Sequence, residues 1–199
     1  MSSQSVQIIG GPDREHAYVD DANALFVTQG PSVIDPVSGF VTTIGESHRL
    51  IHMGRLFDAS GLNLAVPAGG VFDVLMQFPA GAVGHLTNVE YQLEDSPVLI
   101  EFFEGVTWSA AGTAALVVNK NRMSATTPNA VITENPTITD TGTLLHQRYV
   151  PPTVKGGILV PGEDLEWVIG NDRDYLWRVT NNTNGPLIMG YHFNGYELP

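Results

Sequence analysis

The chain has 199 residues, 43% of them hydrophobic, with 21 Gly, 13 Pro, no Cys and a formal net charge of -12. That length suits one ordinary domain with a small appendage, and the missing cysteines exclude a disulfide framework, a thiol nucleophile and a Cys-ligated zinc. An acidic surface repels phosphate backbones, so nucleic acid is not expected as a direct partner.

Met1-Ser2-Ser3-Gln4-Ser5 shows no basic stretch leading into an apolar run, and no segment approaches the ~20 apolar residues of a membrane helix. Neither a secretory signal nor a membrane partner is predicted. Residues 1–46 hold short apolar pieces, Val6-Gln7-Ile8-Ile9 and Ala24-Leu25-Phe26-Val27, cut apart by Gly10-Gly11-Pro12, Gly30-Pro31 and Asp35-Pro36. None is long enough to make a core element, which predicts an extended N-terminal arm.

Residues 47–199 read as a β-sandwich domain. Strand candidates follow one another with turn signals between them: Arg49 to Phe57, Val71 to Phe78, Thr87 to Leu93, Val98 to Glu104, Ala114 to Asn119, Thr143 to Val150, Asp164 to Ile169, Tyr175 to Thr180 and Leu187 to Phe193. Large apolar residues alternate in Leu99-Ile100-Glu101-Phe102-Phe103 and in Leu165-Glu166-Trp167-Val168-Ile169, as they do on strands with one buried face. The window His85 to Ser96 is free of Gly and Pro, but its Thr, Asn, Val and Tyr favour strand, and no helix is predicted. The polar stretch from Asn119 to Thr143 breaks the rhythm and predicts a long surface excursion or hairpin suited to intersubunit contact.

Ile100-Glu101-Phe102-Phe103-Glu104-Gly105-Val106-Thr107-Trp108-Ser109-Ala110-Ala111-Gly112-Thr113, then Val118-Asn119-Lys120-Asn121-Arg122 and Ser124-Ala125-Thr126-Thr127, and finally Tyr175-Leu176-Trp177-Arg178-Val179-Thr180-Asn181-Asn182-Thr183, resemble a group of tailed-bacteriophage virion structural proteins. Asp21-Ala22-Asn23-Ala24-Leu25-Phe26-Val27 resembles a short unit near the start of such proteins, with Asn23 where a Gly often stands. The resemblance implies a jelly-roll-like antiparallel sandwich of eight or nine strands acting as a capsid decoration or cement protein. The same motifs have a plain physical job, since Gly105 and Gly112 suit tight turns and Asn or Thr caps a loop.

Residues with the chemistry of catalysis are scattered. Among the histidines, His48 and His52 are close in sequence; on a strand they would stand about 13 Å apart at ~3.3 Å per residue, too far to share a metal, and on a helix they could share one, but Gly54 and the flanking sequence argue against a helix. No G-x-S-x-G occurs, and the acids Glu90, Glu94, Glu101, Glu104 and Glu166 fit the outward face of strands. Asp20-Asp21-Ala22-Asn23 and Asn171-Asp172-Arg173-Asp174 gather oxygen ligands without matching an EF-hand loop. Asn181-Asn182-Thr183 is formally a glycosylation sequon, expected to stay unmodified. Trp167 and Trp177 read as core, and Trp108, placed in a turn, as a contact residue.

The sequence therefore predicts a non-enzymatic, all-β virion subunit without cofactor or metal, assembled in a bacterial cytoplasm, whose partners are the major capsid protein and neighbouring copies of itself in a trimer or other cyclic oligomer. Contact residues are expected at Ile8, Ile9, Leu25, Phe26, Val27, Trp108, Asn121 and Arg122. The rival reading is a tail- or fibre-associated sandwich that binds glycans.

Overall fold

The computed structural model of the chain describes residues 8–10, 15–19, 25–27, 32–34, 41–43, 46–152, 158–160, 166–170 and 172–198. The chain divides into two units, Met1–His52 and Met53–Pro199. In the first, β1 (Ile8–Gly10), β2 (Glu15–Val19) and β3 (Leu25–Val27) make an antiparallel sheet, β4 (Ser32–Ile34) pairs with β5 (Val41–Thr43), and α1 spans Glu46–His52. The arm expected over residues 1–46 otherwise lies outside the described residues.

Two expectations about this region are corrected by α1. Residues Arg49 to His52 are helical and the following strand starts only at Leu56. Gly54, which argued for strand, takes φ +67°, the left-handed conformation with which helices commonly end. It is a stop signal after the helix, so Leu50 and its neighbours were free to be helical.

The second unit carries β6 (Leu56–Val66), β7 (Val71–Gln77), β8 (Val83–Leu93), β9 (Val98–Glu104), β10 (Thr107–Ala110), β11 (Thr113–Ala114), β12 (Leu116–Asn119), β13 (Val131–Glu134), β14 (Thr137–Asp140), β15 (Thr143–Val150), β16 (Ile158–Val160), β17 (Trp167–Gly170), β18 (Asp174–Asn181) and β19 (Leu187–Leu198). One sheet runs β12-β6-β19-β8-β16, with β17 also on β8, and the other runs β11-β13-β7-β18-β9-β15. All of these pairings are antiparallel. Without the insertion between β9 and β15, the orders β6-β19-β8-β17 and β7-β18-β9-β15 interlock as two Greek keys, which is a jelly-roll sandwich. The all-β expectation holds.

The core lies between the sheets and is centred on Phe102, fully buried and stacked on its cross-strand partner Trp177 with ring centroids 4.2 Å apart. Tyr175, Trp167, Tyr91 and Phe193 complete the aromatic cluster. Aromatic pairs of this kind add about 0.5–1.5 kcal/mol each beyond area burial.

The insertion, which the sequence showed only as a polar interruption, is built from strands. β12 extends the first sheet beside β6, and β13 extends the second beside β7. On either side of this pair in the chain, β10 and β14 pair with each other as a ribbon. The ribbon covers the outer face of the second sheet, where Leu75, Phe103, Val106 and Leu176 form a separate small core with Trp108 and Ile138. Asp73 and Arg178 share that outer face, joined by two hydrogen bonds of 2.8 and 2.7 Å that raise the pKa of the Arg178 guanidinium. This explains why Val71-Phe72-Asp73-Val74-Leu75-Met76 is apolar almost throughout: both of its faces are covered.

Candidate functional site

The expected contact residues fall in different places. Ile8 and Ile9 lie in β1 and Leu25, Phe26 and Val27 in β3; their side chains lie outside the described set, as do Asp20 to Asn23 and Asn171. Trp108 belongs to strand β10, not to a turn, and is half-buried over the small outer core, with Nε1–H donating to Asp174 Oδ2 at 2.7 Å. Asn121 and the exposed Arg122 sit in the loop after β12. Trp177 is buried and Trp167 packs partly on the core.

That loop is braced from inside. Buried Asn119 donates through Nδ2 to the carbonyls of Gly54 at 2.8 Å and Thr126 at 3.0 Å, and its Oδ1 accepts from the Asn121 N–H. Asn121 Oδ1 accepts from the Met123 N–H, and Ser124 Oγ from the Thr126 N–H. Farther along, the Glu197 carboxylate accepts three hydrogen bonds from Asn129 and Ala130. The fixed loop presents Met123 at 95% exposure beside Arg122.

A second surface was not foreseen. On the outer face of the first sheet, Leu62 and Leu64 stand out from β6 at 57% and 66% exposure, and Leu116 stands out from β12 at 64%. Leu116 pairs with Ser60, which puts it diagonally beside Leu62 on the same face, because side chains alternate along a strand. Ile188 of β19 extends the patch near Leu64, where the β19–β6 register shifts between Leu187 and Met189. Exposed leucines side by side in a sheet are what an interface core presents before it is covered.

A polar trough of about 280 Å³ adjoins the patch, walled by Ser60, Leu62, Glu90 and Gln92. Its floor is Gly190, which faces outward opposite Leu62 and Gln92, so a missing side chain makes the depression. At one end the His192 ring lies between Asp58, with Nε2 2.5 Å from a carboxylate oxygen, and Glu90 at 3.5 Å. Lys120 reaches Asp58 at 3.9 Å. The face thus combines an apolar strip with a charged, mainly acidic margin.

At one end of the sandwich an apolar pocket of about 60 Å³ is lined by Phe57, Met76, Phe78 and Phe193, far below the ~300 Å³ of an ordinary ligand cavity. At its mouth the His85 ring stacks on Tyr196, centroids 4.3 Å apart, and both side chains meet the same oxygen of Glu166, at 2.7 and 2.5 Å. These hydrogen bonds, Tyr196 first and then His85, hold the Glu166 carboxyl below the usual carboxylate range. Separately, buried Tyr191 donates to Glu134, and burial together with that carboxylate raises its phenol pKa.

Among the described residues no three His, Cys, Asp or Glu side chains converge on a metal position, and no helix is long and apolar enough to cross a membrane. The chain matches no protein-family model and no curated protein sequence. Leu62, Leu64 and Ile188 escaped the sequence reading because periodicity reveals that a strand has two faces, but not which residues lack a cover.

Proposed function

We propose that the chain is a non-enzymatic structural subunit of a tailed-phage virion, a decoration protein that packs on the major capsid lattice and stabilises the head. The observation that carries the packing role is the exposed patch of Leu62, Leu64, Leu116 and Ile188 on a rigid sheet face. Apolar side chains at this density on an ordered sheet gain free energy only when a partner covers them, at roughly 25 cal/mol per Å² of apolar area buried. The capsid lattice as that partner rests on the resemblance carried by Ile100 to Thr127 and Tyr175 to Thr183. The net charge of -12 supports a partner of opposite charge at the margin, since two acidic faces repel.

The test is co-sedimentation of the full chain with capsids stripped of surface proteins, alongside light scattering on the chain alone. Saturable binding at a stoichiometry fixed by the lattice is expected. A chain that stays in the supernatant at all concentrations removes the head role.

A second reading is favoured by the trough: Ser60, Glu90, Gln92 and His192 around a glycine floor offer the mixed donors and acceptors that suit sugar hydroxyls. A glycan-array screen decides it. Signals abolished by Gly190→Val would establish saccharide binding at the trough, and a blank array removes it.

A further inference from the structure

Helix α1 brings together two side chains that a strand would have kept apart. His48 and His52 are four residues apart, hence one turn apart on one face of the helix, and their rings approach to 4.5 Å between centroids at an interplanar angle of 55°. Two imidazoles on one tetrahedral ion, with metal–nitrogen bonds near ~2.1 Å, hold their ring centres roughly 5 Å apart. The observed separation is thus close to that of a chelating pair. Both residues are exposed, so an ion reaches them from solvent without opening the core.

Their place on the helix favours a cation as well. His52 lies in its last turn with Arg49, where the terminal carbonyls carry partial negative charge, and His48 lies one turn before it. Nitrogen ligands select borderline transition ions over hard oxygen-seeking ones such as Ca²⁺.

We propose that His48 and His52 form a two-imidazole binding site for a divalent transition ion, Cu²⁺, Ni²⁺ or Zn²⁺, with solvent at the remaining positions. Binding clips the last turn of α1, because the ion holds both side chains in the geometry that the helix supplies. Each imidazole must present an unprotonated nitrogen, so acidification releases the ion.

Calorimetric titration of the full chain with CuCl₂, NiCl₂ and ZnCl₂ tests this, against His48→Ala, His52→Ala and the control His146→Ala. One ion per chain is expected, with Cu²⁺ bound most tightly; either α1 variant weakens it by about tenfold or more, and the control leaves it unchanged. NMR imidazole resonances give a second readout, with Cu²⁺ broadening those of His48 and His52 first. No saturable binding up to about millimolar metal, or binding and broadening indifferent to both substitutions, overturns the site.

Discussion

Trp108 and Ile138 face each other across the β10–β14 ribbon, and they occupy equivalent places in two copies of one sequence pattern. Glu104-Gly105-Val106-Thr107-Trp108-Ser109-Ala110-Ala111-Gly112-Thr113 repeats as Glu134-Asn135-Pro136-Thr137-Ile138-Thr139-Asp140-Thr141-Gly142-Thr143. The backbone repeats with it. Gly105 and Asn135 take φ +70° and +51°, and Gly112 and Gly142 take φ +87° and +70°. The relation is reciprocal, because a Cβ on Gly112 would strike the Glu134 carbonyl and one on Gly142 the Glu104 carbonyl.

Three glycine substitutions therefore separate conformational strain from collision. Gly105 also has positive φ, but a Cβ there meets open space. Gly105→Ala is expected to cost about 1 kcal/mol, the left-handed penalty alone. Gly112→Ala and Gly142→Ala add a clash with rigid backbone and should each cost about 2–3 kcal/mol. Urea unfolding measures all three; equal losses would mean that the two turns do not lean on one another.

Asn181 is fully buried, and its amide Nδ2 donates to the carbonyls of Val66, Pro67 and Gly185 while its Oδ1 accepts from the Thr183 N–H. As the first residue of a formal sequon it is closed to modification in the folded chain. Asn181→Ala strands several buried carbonyls and should cost about 2–4 kcal/mol. Asn181→Asp should cost more at neutral pH, because a carboxylate would face three carbonyl oxygens. The comparison of the two variants by thermal and urea unfolding checks the order; an Asp variant as stable as Ala refutes it.

How far the fold could be read depended on burial. β9 and β15 were legible to the residue, since Phe102 and Ile100 alternate cleanly and Thr143 to Val150 is bounded by turn residues. The far half of β6 was not, because Ser60-Gly61-Leu62-Asn63 resembles a loop until Gly61 is seen to make room for Tyr191 and Glu134. The ribbon strands were missed because small and polar residues, Thr above all, dominate them and their partners are distant in sequence. Asn121 and Arg122 were rightly placed on a surface loop, but Trp108 proved to cover the outer face of the second sheet, which depends on a tertiary contact with Asp174 that local pattern cannot contain.

Glu166 links acidity to the end of the sandwich. Hydrogen bonds from Tyr196 and His85 lower its pKa in the folded state, so its contribution is present above the ordinary carboxylate range and is lost as pH falls through the lowered value. The side chain is 48% exposed, which keeps the contribution under about 1 kcal/mol after screening. Glu166→Gln should therefore be slightly less stable than the parent at pH 7, with the gap closing as pH drops below ~4. NMR titration of the parent and of Tyr196→Phe gives the direct check, since the phenylalanine variant should return the carboxyl toward its ordinary range. A gap that widens on acidification contradicts this assignment.

The patch and the braced loop make rival claims to be the partner surface, and substitutions can divide them. Leu62 and Leu116 contribute little to the core, so Leu62→Asp with Leu116→Asp should change unfolding free energy by no more than about 0.5 kcal/mol per site. If the sheet face is where the partner sits, two charges at its centre leave an unpaired, desolvated carboxylate in the complex. Capsid affinity should then fall by about a hundredfold or more, because hot spots lie in the apolar middle of an interface. Met123→Asp, on a loop whose backbone is already held by Asn119 and Asn121, should weaken binding by less than about tenfold if it lies at the rim. The reverse ranking would move the contact to the loop, near the Asn121 and Arg122 that the sequence singled out. Equal indifference to both sets would leave the exposed leucines without a partner on the capsid, and the decoration reading would fail with them.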